Sequence, residues 1–312
     1  MHILIPDDLP PSAIAVLADA GWHTDARAGR ARPELLVDVA SADALIVRSA
    51  TLVDAALIAA GPKLRVIARA GVGVDNIDLE AARQRGIVVM NAPEATTTSV
   101  AELTLAGLLN LARHVSAADR SMKAGRWDKK AFSGTELAAK TLGIVGFGRI
   151  GRRVARLAAA FDMRVLAHDA ATVTVEPPVR LVSLDELCAE ADYITLHVPV
   201  TPATLRLFDG ARLARCRRGV RLVNTARGDL IDDRALLAAL DSGHVGGAAL
   251  DVFAHEPPVD TTLTCHPAVV ATPHVAASTI EALERVGLEA AAAVRDFLTT
   301  GVARNVVTTP PE

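Results

Sequence analysis

Residues 141–151, TLGIVGFGRIG, pass from an apolar β-type run into Gly146, Gly148 and Gly151 at G-x-G-x-x-G spacing, and then into RRVARLAAAF, which reads as an amphipathic helix. A second short apolar run, MRVLAH, closes on Asp169. Strand, glycine turn, helix and an acid at the next strand's end together make a dinucleotide-binding fingerprint. Gly146 permits the tight turn, Gly148 lets the backbone approach a pyrophosphate with no Cβ in the way, and Gly151 lets helix and strand pack closely. The start of the helix offers unpaired N–H groups and a positive dipole end to the phosphates. Asp169 would accept hydrogen bonds from the adenosine ribose hydroxyls and repel a 2′-phosphate, and no Arg or Lys occurs at Ala170, Ala171 or Thr172 to attract one. The expected cofactor is therefore NAD rather than NADP. The competing account is an ordinary tight βα turn with an incidental Asp.

A chain of 312 residues exceeds the usual size of one core, so two domains are expected. Half of the residues are hydrophobic but only 3% are aromatic, so the core is built from Ala, Val, Leu and Ile, as suits parallel α/β layers. The first ninety residues alternate HILI, PSAIAVLADAG, ALIV, TLVDAALIAAG, RVIA, DLEAARQRG and IVVM. After Thr141 the alternation resumes with TLGIVGF, RVLAH, YITLHV, VRLVNT, AALDV and VVAT. Such alternation implies parallel sheets with right-handed crossovers. The expected fold is α/β with two doubly wound parallel-sheet domains. One is a Rossmann NAD-binding domain over 95–282; the other is a smaller, discontinuous, flavodoxin-like substrate domain over 1–94 and 283–312. Residues 99–120 have the spacing of one long helix between them, and a last helix is expected from Thr279 to Thr299 before a tail with Pro310 and Pro311. RAGVGVD, residues 69–75, is a second glycine-rich turn without the third glycine or the acid, and reads as a loop at the cleft.

A net charge of -3 with both signs interspersed leaves no basic face for a nucleic acid. Cys188, Cys216 and Cys265 are far apart and form no C-x-x-C pair, which argues against a disulfide framework or a metal site and for a reduced cytoplasm. No apolar stretch is long enough to span a membrane.

Three polar residues follow strand-like runs in the second half: Arg227 in LVNTARGD, Glu256 in LDVFAHEPP and His274 in VVATPHVAAST. Open α/β sheets bind ligands beyond the carboxyl ends of their strands, so all three are placed to converge on one crevice. Their types fit the oxidation of a 2-hydroxy acid. Arg227 would hold the substrate carboxylate with its fork of donors, and His274 would exchange the hydroxyl proton. Glu256 would orient the ring, fix its tautomer and complement the imidazolium. Taken singly, each also reads as a solvated or merely hydrogen-bonded side chain.

GFGRIG, VNTARGD, ALDVFAHEPP, TPHVAAST, RAGVGVDNID and the stretch from SMKAGRW to FSGTEL closely resemble the D-isomer-specific 2-hydroxyacid dehydrogenases, and among them the D-3-phosphoglycerate dehydrogenases of serine biosynthesis. The resemblance places the family's catalytic Arg, Glu and His on Arg227, Glu256 and His274. It implies NAD contacts at Arg149, Ile150, Asp169, Val198, Thr225, Ala226 and Asp251 beside the fingerprint glycines. It implies substrate contacts at Arg48, Arg69, Gly71, Val72 and Gly73, with the two arginines serving a phosphate and with Lys129 and Lys130 reaching in from a neighbouring subunit. A homodimer, which in turn could pair into a tetramer, is also implied. Departures bear on the exact acid: PEATTTS replaces a Gly-Asn pair, Ala276 and Asp229 replace glycines, and the segment 170–182 looks short. No additional C-terminal regulatory domain is expected. The leading reaction is NAD-dependent oxidation of 3-phospho-D-glycerate to 3-phosphohydroxypyruvate. A glyoxylate/hydroxypyruvate reductase or D-lactate-type dehydrogenase is the near alternative, and an NAD-sensing corepressor-like binding protein the alternative of another class.

Overall fold

In a computed structural model the described residues are 1–171, 173–176 and 178–308; Thr172 and the Pro310–Pro311 tail lie outside them. The chain divides into two units, Met1–Thr96 with Ala277–Glu312, and Thr97–Ala276.

The first unit runs β1 (His2–Ile5), α1 (Pro11–Ala18), β2 (His23–Ala26), α2 (Arg32–Asp38), β3 (Ala44–Val47), α3 (Ala55–Ala60), β4 (Val66–Arg69), α4 (Leu79–Gln84) and β5 (Val88–Asn91). Its described strands pair parallel in the order β2-β1-β3-β4-β5, the flavodoxin-like arrangement. Strand β3, ALIV, is buried along its whole length because both faces of the sheet are covered. Strand β2 and helix α2 are additions to the elements read from the sequence. HTDA is a half-exposed edge strand with no apolar run, so its identity comes from pairing with β1 rather than from composition.

The second unit runs α5 (Thr97–Arg113), α6 (Val115–Lys123), β6 (Thr141–Val145), α7 (Arg149–Ala160), β7 (Arg164–His168), β8 (Val179–Leu181), α8 (Leu184–Glu190), β9 (Tyr193–Leu196), α9 (Gly210–Arg215), β10 (Val220–Asn224), α10 (Asp233–Asp241), β11 (Val245–Leu250) and β12 (Val269–Ala271). Its parallel sheet has the order β12-β11-β10-β9-β6-β7-β8, the Rossmann order, which reverses direction between β6 and β9. One face packs against α5 and α7 and the other against α8, α9 and α10.

The single helix expected over 99–120 is two. His114 takes a left-handed conformation, φ 57°, between α5 and α6. The Asn110 side chain stabilises the break: its Oδ1 accepts the Ser116 N–H at 3.0 Å and its Nδ2 donates to the Ser116 hydroxyl at 2.5 Å. Side chain to backbone bonding of this kind competes with helix continuation, which apolar periodicity does not register. Strand β8 lies inside the segment that looked short.

The last helix, α11 (Ile280–Thr300), belongs to the first unit and packs along α1. Thr279 caps its start by accepting the Ala282 N–H, and Gly301 at φ 77° ends it.

Candidate active site

Strands β10, β11 and β12 are neighbours in register, with Asn224 opposite Leu250 and Leu250 opposite Ala271, so the three loops that follow them leave the sheet side by side. Arg227, Glu256 and His274 lie one on each loop. The backbone stitches the loops together: Asp251 N–H donates to Asn224 O at 2.9 Å, Thr272 N–H to Leu250 O at 3.0 Å, and His274 N–H to Asp251 O at 2.8 Å.

Two buried polar side chains extend this stitching to the functional groups. The Asn224 amide, 1% exposed, accepts the Ala226 N–H at 3.0 Å and donates to Arg227 O at 2.8 Å, so it shapes the arginine loop. The Asp251 carboxylate, 2% exposed, accepts the Thr272 hydroxyl at 2.5 Å and the N–H groups of Val275 and Ala276 at 2.9 and 2.8 Å. Its Oδ1 therefore bonds residues on both sides of His274, and its Oδ2 adds Ala276. A buried carboxylate is tolerable only when bonded in this way.

Glu256 Oε2 meets His274 Nδ1 at 2.6 Å, while Glu256 Oε1 accepts the Phe253 N–H at 3.0 Å. Because a carboxylate oxygen accepts, Nδ1 is the donor of this bond, which leaves Nε2 as the acceptor nitrogen of the neutral ring. The His274 ring remains about half exposed, 48%, so Nε2 can meet a solvent-borne ligand. His274 has φ 51°, an uncommon region for a residue with a Cβ, held by the bond of its N–H to Asp251 O.

Arg227 is half-buried, with Nη1 donating to Ala226 O at 2.7 Å. Gly228 explains how its loop sits so near the glutamate loop: a Cβ there would lie 2.0 Å from the Phe253 carbonyl carbon and 2.2 Å from Ala254 N. Gly228→Ala is expected to force the arginine and glutamate loops apart, lowering unfolding stability by about 3 kcal/mol, in the range of severe backbone clashes. Chemical denaturation checks this, and a variant as stable as the parent would show that the loops shift at no cost.

At the fingerprint, Gly146 (φ 95°) follows β6 and abuts β9, where a Cβ would meet His197 O at 2.4 Å; a Cβ on Gly151 would meet Gly146 O at 2.2 Å. A Cβ on Gly148 would meet nothing within 4 Å, which leaves the start of α7 open to a phosphate at the point where the strand order reverses. Arg149 is exposed on the first turn of α7 and Ile150 is half-buried against the sheet. Asp169 Oδ2 accepts the Phe147 N–H at 2.7 Å and Oδ1 the Ala171 N–H at 2.9 Å, which aims the carboxylate across the glycine turn. Val198 and Ala226 are half-buried, and the Thr225 hydroxyl lies 3.1 Å from that of Thr104.

The remaining predicted residues, apart from Lys129 and Lys130, lie in the first unit. Val47, Arg69 and Asn91 end adjacent strands at matched register, so Arg48 and Arg69 leave neighbouring strand ends. Arg69 folds its guanidinium against Gly71, and Asn91 Nδ2 donates to Val72 O at 2.7 Å; Val72 is exposed and Gly73 half-buried. Lys129 and Lys130 are exposed in the second unit.

Sequence reasoning missed Asn224, Gly228 and the bracketing use of Asp251, though an Asn ending a buried strand is a signal that was present. His197 is polar and beside the fingerprint, but burial pushes its pKa down to about 3, so it stays neutral.

Residues 105–276 match the NAD-binding domain model of the D-isomer specific 2-hydroxyacid dehydrogenases. The chain belongs to that family. D-3-phosphoglycerate dehydrogenase of Rattus norvegicus is 46% identical over 299 residues, covering 95% of this chain and 56% of that protein. The chain thus spans about half the length of the curated relatives it matches. Among solved structures it is similar to the TT0316 protein from Thermus thermophilus, TM-score 0.90 and 39% identity, covering 99% of this chain and 100% of that one. It is also similar to a glyoxylate reductase from Paecilomyes thermophila, TM-score 0.89 and 29% identity over 98% of both. The family's NAD-binding domain is therefore the second unit, and the open start of α7 fits that dinucleotide.

Proposed function

We propose that this protein is an NAD-dependent dehydrogenase of D-2-hydroxy acids whose substrate is 3-phospho-D-glycerate, oxidised to 3-phosphohydroxypyruvate. The 2.6 Å pair of Glu256 and His274 beside an Arg-bearing loop carries the reading. Arg227 grips the substrate carboxylate, which fixes the carbinol carbon. His274 Nε2 takes the hydroxyl proton as the carbinol becomes a ketone, and Glu256 stabilises the ring that has gained it. NAD, when bound, supplies the acceptor for the hydride leaving that carbon. The reverse reaction returns the proton from His274.

The phosphate is assigned to Arg48 and Arg69, whose strand ends are adjacent and whose charge suits a second anionic group. The resemblance to the rat enzyme favours this substrate over that of the glyoxylate reductase. Steady-state assays are expected to show a preference for 3-phospho-D-glycerate over D-glycerate, and Arg48→Ala to cut that preference about tenfold, the loss of one charge-assisted contact. Equal turnover of the two acids would remove the phosphate assignment. Inertness toward a panel of 2-hydroxy and 2-keto acids in a protein that binds NAD would instead point to a sensing role.

We extend the proposal to a homodimer. Val115, Met122 and Trp127 are 57%, 54% and 78% exposed along α6 and the turn after it, an apolar run suited to a second copy, with Lys129 and Lys130 close by. The three cysteines are free, as suits the reducing cytoplasm. No helix among the described residues is long and apolar enough to cross a membrane, and no described cluster of His, Cys, Asp or Glu is placed to hold a metal.

A further inference from the structure

The turn that follows β3, residues 48–51, has no regular structure, yet it is clamped from two sides by polar side chains that the proposed chemistry does not use. From the loop after β1, the buried Asp7 carboxylate, 7% exposed, accepts the Arg48 N–H at 2.5 Å and the Thr51 N–H at 3.4 Å with Oδ2, and the Thr51 hydroxyl at 2.6 Å with Oδ1. From the loop after β4, Asn76 Nδ2 donates to Arg48 O at 2.8 Å and to Thr51 O at 2.7 Å. Asn76 is itself anchored, since its carbonyl accepts the Val53 N–H at 2.8 Å.

The division of labour is chemical. An acceptor-only group takes the donors of the turn, and a donor amide takes its carbonyls, so the backbone of Arg48 is fixed through both its N–H and its C=O. Between these anchors Ser49 and Ala50 are exposed. The guanidinium stands apart from both clamping side chains and, among the described residues, makes only a long contact, Nη1 to Asp8 O at 3.4 Å. An unstructured four-residue turn would otherwise leave a long side chain free to sample many directions, and ordering it on binding would weaken that binding. Burying a carboxylate for this purpose is costly unless its oxygens are bonded, and here all its described bonds go to this one turn.

We propose that Asp7 and Asn76 are positioning residues for Arg48, and that by fixing its backbone they set how strongly the enzyme favours a phosphorylated acid over its unphosphorylated counterpart. This rests on the reading of Arg48 as a phosphate donor.

The test uses the full chain and two variants. Asp7→Asn keeps the shape but turns one acceptor into an N–H group facing donors; Asn76→Ala removes both donors from the opposite side. Each is expected to raise KM for 3-phospho-D-glycerate about tenfold, as displacement of a supported binding group does, while kcat and KM for NAD stay within about twofold. Thr51→Ser, which retains the hydroxyl, is expected to keep the parent KM. A purely architectural role would lower the melting temperature and shift the KM of both substrates together, and that result overturns the proposal. So does an unchanged KM in a folded Asp7→Asn or Asn76→Ala protein. If Asp7→Asn does not fold, Asn76→Ala decides alone. Arg48→Ala separates the two claims: if it leaves KM for the phosphorylated acid unchanged, the phosphate assignment is wrong, whereas sensitivity to Arg48→Ala with insensitivity to the clamp variants sinks only the positioning role.

Discussion

His274→Asn is expected to lower kcat about a thousandfold while leaving KM for NAD within about twofold, a loss in keeping with removal of a positioned acid and base. Asparagine is the informative replacement because it tolerates positive φ, and the parent residue sits at φ 51°. The variant therefore keeps the backbone and removes only the imidazole, whose Nδ1 is engaged by Glu256 and whose Nε2 is the proposed proton site. Stopped-flow single turnovers with saturating NAD read the chemical step directly. A variant that retains a tenth or more of the parent rate would show that another group, or water, carries the proton.

Arg227→Lys preserves the charge and is still expected to lower kcat/KM about a thousandfold. A carboxylate held by two parallel N–H donors is fixed in plane and direction, whereas an ammonium offers a point charge on a flexible stem. The loss should appear in both kcat and KM, because the same grip that binds the acid also aims its carbinol carbon. Added guanidine, which restores a fork without a tether, is expected to recover part of the activity of Arg227→Ala and none in Arg227→Lys, where the ammonium occupies the space. A lysine variant within tenfold of the parent would mean that charge alone suffices, and the carboxylate clamp would have to be reassigned.

The elements most legible in the sequence were those whose residues answer to local rules. The fingerprint glycines stand where the turn and the helix contact demand them, with Gly146 against His197 and Gly151 against Gly146. Strands buried on both faces, such as ALIV in β3, advertise themselves as continuous apolar runs. Helix α11 carries its own start and stop in Thr279 and Gly301. Where a residue's role depends on a partner remote in sequence, local rules were silent. Strand β2 is polar and exists by pairing with β1, and the break at His114 depends on Asn110 reaching Ser116. At the site, the residue types and strand-end positions of Arg227, Glu256 and His274 were readable, but not the 2.6 Å separation of a pair that lies eighteen residues apart in the chain.

From sequence alone the chain was committed to parallel α/β layers, a dinucleotide turn and the chemical types able to exchange a proton beside a carboxylate, because each follows from short-range sterics, periodicity and functional-group chemistry. Only the folded sheet decided that Asn224 shapes the arginine loop, that Asp251 brackets His274, that Gly228 must lack a side chain and that Asp7 and Asn76 close on Arg48. Those are contacts between strand ends brought side by side by parallel register, and no spacing along one dimension encodes which loops will meet.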